Sequence, residues 1–200
     1  MSKTTHEMLT EIMGEFNMLE HLKSSDIPGI DLYMDQVTTF MEDHLKGTAR
    51  DPIHDKVMTK TMINNYAKNK VLPPPLKKKY TKEHMLLLIF IYYYKNVLSI
   101  TDINTLFRPI REKYFGKTDG FGIAELYDRV ANMCRDDMEA LKAGIMQKYE
   151  ETEKAFEDAS DEDRDFLRRF ALICKLSYDV TVKTLLIERM LDRMADETKR

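Results

Sequence analysis

Lys60, Asn64 and Lys68 recur at steps of four, with Thr61 and Asn65 beside them. On a helix this spacing stacks all five on one face, since residues four apart lie one above the other. The result is an outward surface of Lys, Thr, Asn, Asn, Lys. An asparagine amide carries one acceptor and a pair of donors, the combination that pairs with an adenine edge. A lysine reaches guanine or a phosphate. A few residues on, "PPPLKKKY" delivers Lys77, Lys78, Lys79 and Tyr80 in a row. Ammonium groups and a phenol hydroxyl clustered after a stiff turn suit phosphate contacts, which position a protein on a nucleic acid without reading its sequence.

Both groups depend on the elements that carry them. Thr59 is placed to cap a helix running from 59 to about 70, its hydroxyl taking an orphan amide of the first turn. Met62, Ile63, Tyr66 and Ala67 fall on the opposite side and predict the buried face, with Leu72 beyond. Prolines 73–75 cannot prolong the helix, because each lacks an amide donor and disfavours helical geometry in the residue before it. Thr81 caps the next segment. There "HMLLLIFIYYY" is apolar nearly all round, the mark of a central buried helix. Its triple tyrosine, 92–94, reads as core packing, with an aromatic ligand pocket as the alternative. Ser99 and Asp102 form a capping-box pair, after which Pro109 and "GKTDGFG" are expected to interrupt the pattern.

The remaining chain is also helical in period. Residues 5–23 align Met8, Ile12, Phe16 and Leu19, and a second helix over about 31–45 ends near Gly47, before a loop at 46–57. From Gly122 to Asp158 one long amphipathic helix is expected, with Ile123, Leu126, Val130, Cys134, Met138, Leu141, Ile145 and Tyr149 in its stripe. Another region runs from Ser160 to about 195, with a weak point at "SYDVTV" where β-branched residues gather. The pattern predicts an all-α protein with a helical domain over 1–118 and a helical C-terminal region over 119–200.

Charge is distributed unevenly. The chain has 200 residues, 31 basic and 34 acidic, for a net −3. Residues 56–82 hold eight lysines and no acid, so the other 23 basic residues face 34 acids, a balance of −11. At the opposite extreme, residues 150–165 carry nine acids against two bases, which reads as a solvated face. A local basic stretch in an acidic protein points to an anionic partner, either a nucleic acid or an acidic protein surface. No apolar run reaches the ~20 residues that cross a bilayer, and the N-terminus has acids among its apolar positions, so no membrane partner is expected and the cytoplasm is the expected compartment. Cys134 and Cys174 are expected as two buried thiols rather than a disulfide.

Catalytic signatures are missing. "FGKT" at 115–118 imitates the end of a phosphate-binding loop, but Arg111 stands where its first glycine belongs, and a helix precedes it instead of a strand. The five histidines form no metal-ligand spacing, and His84 falls in a first helical turn, where it packs or caps. No enzyme activity, metal or cofactor is expected.

Two resemblances gather these features. "TKTMINNYAKNKVLPPP…KKYTKEHMLLLIFIYYYKNVLSITDI" resembles the DNA-binding half of MerR-type regulators. Its Thr61, Ile63, Tyr66, Leu72-Pro73, Lys79-Tyr80 and Ser99–Ile103 match that pattern, within about 31–107. The likeness implies a winged helix-turn-helix whose recognition helix is 59–70, although the loop 46–57 is longer than that family's tight turn. "IDLYMDQVTTFMEDHL" with "TKTMINNYAKNKVLPPPLKKKYTKEH" also resembles the bacterial family called domain of unknown function 1836, over about residues 25–115, which implies a suspected regulator. The expected function is therefore a sequence-specific transcriptional regulator binding double-stranded DNA. Lys60, Thr61, Asn64, Asn65 and Lys68 would face bases, with Lys77, Lys78, Lys79 and Tyr80 on phosphates. A homodimer is expected through the 122–158 stripe. The alternative is a helical adaptor that docks an acidic partner, or its own 150–165 segment, on the basic surface.

Overall fold

The computed structural model describes residues 4–15, 22–117 and 120–197. The protein is all-α: its helices are α1 (Thr5–Glu15), α2 (Met34–Leu45), α3 (Lys60–Lys68), α4 (Lys82–Tyr94), α5 (Ile100–Tyr114), α6 (Ile123–Asp136), α7 (Met138–Ala155) and α8 (Asp161–Glu197). Two-residue strands, β1 (Leu32–Tyr33) and β2 (Lys79–Tyr80), pair antiparallel, with Leu32 opposite Tyr80 and Tyr33 opposite Lys79. Elements this short leave no period in a sequence, and β1 occupies what reads as the start of α2.

The chain forms two compact units, and they do not divide at 118. One comprises His21–Asn132 with Glu188–Arg200, the other Met1–Glu20 with Met133–Ile187.

The first unit is built around α4. His84 to Tyr92 are all buried, because an apolar residue at every position leaves no side to face water. Val37, Met41 and Leu45 of α2, Ile63 and Tyr66 of α3, Ile103 and Phe107 of α5 and Tyr127 of α6 close around it, with Leu191 from the end of α8. Capping follows the sequence. Thr59 Oγ1 accepts the Met62 amide at 3.2 Å, and Ser99 and Asp102 exchange hydrogen bonds. Pro109 departs from expectation: α5 runs through it. Ser24 donates both its amide (2.8 Å) and its hydroxyl (2.6 Å) to the Asp128 carboxylate, tying the segment before β1 to α6.

In the second unit, Leu9 of α1, Tyr149 of α7 and Leu172 of α8 form the core, with Met13, Met146 and Leu176 against it. The inward row of α1 is thus Thr5, Leu9 and Met13 rather than the stripe from Met8. Phe16 and Leu19 of that stripe lie outside the described residues, as does Thr118. The expected 122–158 helix is two helices separated at Asp137, which follows a second aspartate, a residue of low helix propensity. Its stripe is also divided, since Ile123 is buried in the first unit's core and Tyr149 in the second's. In contrast, α8 continues through "SYDVTV" without a break. Cys134 and Cys174 are free thiols as expected, but exposed rather than buried. Acids of the 150–165 run find partners inside this unit: Glu151 pairs with Lys175, Asp161 with Arg164 and Asp165 with Arg169. No helix among the described residues is long and apolar enough to cross a membrane.

Candidate nucleic-acid interface

Helix α3 separates its two faces as its spacing requires. Ile63 and Tyr66 are buried, whereas Lys60, Thr61, Asn64, Asn65 and Lys68 are all exposed. Burial pushes the Tyr66 hydroxyl pKa above its usual value. One of the five is engaged already, because Lys60 forms an ion pair with Asp35 at the start of α2.

The helix ends in a Schellman motif. Val71 N–H donates to Tyr66 C=O at 2.9 Å and Lys70 N–H to Ala67 C=O at 3.1 Å, with Val71 and Tyr66 packed in the core. The left-handed position belongs to Lys70 (φ 57°), while Asn69, a residue type that tolerates that region, keeps φ −85°. Asn69 instead donates its side-chain amide to the Asn65 carbonyl oxygens, backbone and side chain, at 2.8 and 2.9 Å. Asn65 therefore has part of its acceptor capacity occupied, which leaves Asn64 as the freer amide on this face.

Beyond the prolines the chain makes a two-residue hairpin turn. Lys79 N–H donates to Leu76 C=O at 2.9 Å, and Leu76 bridges to Lys79. The two tip residues, Lys77 (φ 50°) and Lys78 (φ 64°), both take the left-handed conformation. That geometry is a type I′ turn, whose usual occupants are Asn and Gly, because a side chain with a Cβ is crowded at positive φ. Among the described residues, the only non-glycine residues at positive φ are Lys70, Lys77 and Lys78, three lysines of the basic stretch. Backbone strain of this kind persists where the surrounding structure over-determines it, and it concentrates at functional sites.

The turn rests on a firm base. Leu72 and Tyr80 are buried on either side of it, and Arg111 of α5 donates to Val71 C=O at 3.1 Å. Lys79 lies 5.2 Å above the ring of Tyr33, its partner across the ladder. Tyr80 requires a correction. Only 3% exposed, it packs edge-on against His84 at 5.6 Å, so it anchors the turn from below instead of standing at the surface beside the three lysines as expected. His84 in turn accepts the Thr81 amide at Nδ1 (3.1 Å), closing the cap of α4. Burial lowers its pKa from the usual histidine value, against an opposing pull from the Pro74 and Pro73 carbonyls and Asp31.

The long loop before α3 is also ordered. Asp51 Oδ1 accepts the Ile53 and His54 amides. Thr48 shares a hydrogen bond with the Tyr92 hydroxyl, and Lys95 donates to Val57 C=O at 2.8 Å. Where this loop meets α3 there is a cleft of about 330 Å³, lined by Thr38, Thr39, Glu42, Lys56, Thr59 and Lys60 among others. Among the described residues, the ion pairs made by lysines 56–82 are Lys56–Glu42 and Lys60–Asp35. Lys68, Lys77 and Lys78 thus present uncompensated charge.

The family described as "domain of unknown function" DUF1836 matches residues 22–130, more than half of the chain. The chain belongs to the DUF1836 family. No curated protein and no solved structure matches it. The DUF1836 span includes β1, α2, α3, the lysine turn, β2, α4 and α5 complete, so the exposed face of α3 and the strained turn are both features of the DUF1836 portion. Tyr33 and Lys70 join the candidate surface from structure alone. Tyr33 is an isolated aromatic in sequence, and only the β1–β2 register brings it under Lys79.

Proposed function

We propose that this protein is a sequence-specific DNA-binding transcriptional regulator of winged helix-turn-helix type, in which α3 enters the major groove and the lysine turn holds the adjacent phosphates. The observation that carries the reading is the lysine turn itself. Lys77 and Lys78 occupy a tip where glycine or asparagine would be less strained, are exposed, and face no acid among the described residues. A turn that tolerates strain to present two ammonium groups needs an anion to explain it. The strand–helix–helix–turn–strand order from β1 to β2 supports the MerR-like reading, because one ladder closes on both ends of the helical pair and fixes the turn relative to α3. Within this arrangement Asn64 and Lys68 take base edges, Thr61 and Asn65 flank them, and Lys77–Lys79 take phosphates. The protein acts as a dimer, since two such units on adjacent half-sites multiply affinity.

Selection of bound genomic fragments by the full chain tests this proposal. The expected result is enrichment of a short motif, with Asn64→Ala changing its base preference at one position while leaving non-specific affinity nearly intact. Equal losses on every sequence would remove Asn64 from base reading. Recovery of one stoichiometric acidic protein and no DNA would replace the regulator with an adaptor.

A further inference from the structure

Helix α8 turns its polar and apolar sides the wrong way for a lone chain. Between 161 and 187 a row of charged side chains faces its own unit: Arg168 donates to Glu153 C=O at 2.9 Å, Lys175 pairs with Glu151, and Asp179 with Lys148 at 3.1 Å. One row of its apolar side chains points to solvent. Phe166, Phe170, Ile173 and Val180 are between 57% and 67% exposed, and Ile187 follows at 37%. With Ser177 and Thr184 they recur at alternating steps of four and three from 166 to 187, the heptad spacing of a two-helix seam.

We infer that this face of α8 is a homodimer interface, covered by α8 of a second copy. Three observations select that occupant. The seam has a coiled-coil period, so its partner must be a helix repeating at the same interval over about 30 Å, and α8 itself has that repeat and length. No seam position from 166 to 187 carries a charge, so nothing selects an ionic or polar partner. The apolar area also fits: with Tyr178 and Leu185 on the open flank, the face offers roughly 800 Å² per copy. That equals one partner's share of a standard interface and exceeds the ~300–600 Å² of the largest patch on a typical monomer. One flank is closed by the chain's own packing, as Arg169 bonds Thr5 Oγ1 and Leu176 joins the Leu9–Tyr149–Leu172 core. The second helix therefore lies over the seam and the opposite flank. Beyond Ile187 the same register sinks inward, Leu191 being buried in the core around α4. The interface accordingly ends within one turn of that residue. This assignment places the dimer contact of the proposed function on α8, not on the divided 122–158 stripe, and its test uses no DNA.

Sedimentation equilibrium on the full chain should give a dimer at tens of micromolar. Ile173→Lys with Val180→Lys should weaken dimerisation by at least ~100-fold, because two unpaired charges would enter the seam of each helix, while circular dichroism and monomer melting stay unchanged. As a second route, Ser177→Cys in a Cys134→Ser/Cys174→Ser background should form an intersubunit disulfide on oxidation, and Leu141→Cys in the same background should not. A monomeric wild type, a dimer surviving the double lysine variant, or cross-linking through Leu141→Cys alone would each overturn the inference. Unchanged dimerisation in a Lys77→Ala/Lys78→Ala/Lys79→Ala variant would support the interface independently of the DNA reading.

Discussion

Replacing Lys77 by Asn and Lys78 by Gly should make the protein more stable and a poorer DNA binder at once. Both lysines lie at positive φ, 50° and 64°. A residue with a Cβ loses roughly 1–2 kcal/mol there relative to right-handed geometry. Glycine relieves that strain but gives back about 0.4–1 kcal/mol through the freedom it adds to the unfolded chain. Asparagine tolerates the left-handed region without that penalty. The net for the pair is about 1 kcal/mol of stabilisation, or ~2–4 °C in melting temperature for a chain of this length. The hairpin itself should be unchanged, because the bond from Lys79 N–H to Leu76 C=O uses backbone alone. Removing two phosphate contacts, meanwhile, should lower the slope of log affinity against log salt by ~2. Differential scanning calorimetry and fluorescence anisotropy on one duplex at several salt concentrations read both effects. If the variant melts lower than wild type, the strain argument fails. If it binds DNA with undiminished affinity and slope, the strained turn has no anion-binding purpose and the reasoning from strain to function collapses.

Two further outcomes follow from local geometry. Asp35→Asn frees Lys60 from its ion pair and removes an exposed acid next to α3. Duplex affinity should rise about two- to five-fold at low salt, as anisotropy would show; a fall would mean that Asp35 positions Lys60 productively. His84 is held neutral in the folded state, its pKa depressed chiefly by burial. The unfolded chain then binds more protons, so stability is full above the unfolded histidine pKa of about 6.5 and declines as pH falls through it towards the folded value. His84→Gln keeps an acceptor for the Thr81 amide and should flatten that decline between pH 7 and 5 in urea titrations. An unaltered pH dependence would place its origin elsewhere.

Much of the architecture could be read from residue types. Thr59, Ser99 and the apolar run through α4 each announce one local outcome, and the five exposed residues of α3 follow from a four-residue step. What could not be read depends on partners distant in sequence or on backbone geometry. Strand β1 is two residues long and exists only because Tyr80 lies opposite Leu32. Lys77 and Lys78 carry no sequence mark of a left-handed turn, since the residues that normally signal one are absent. Tyr80 reads as a surface hydroxyl until the ladder and His84 bury it. The division of the chain near 133 has no mark in the sequence, because α6 and α7 preserve one amphipathic period across Asp137, and only the three-dimensional contacts show that its two ends serve different cores.

The central claim is that the exposed α3 face and the lysine turn form one surface for duplex DNA. The salt dependence of duplex binding by wild type and by Lys77→Ala/Lys78→Ala/Lys79→Ala tests it most directly. The variant should stay folded, bind every duplex more weakly and show a salt slope shallower by ~2–3. Identical affinity and slope in the two proteins would contradict it.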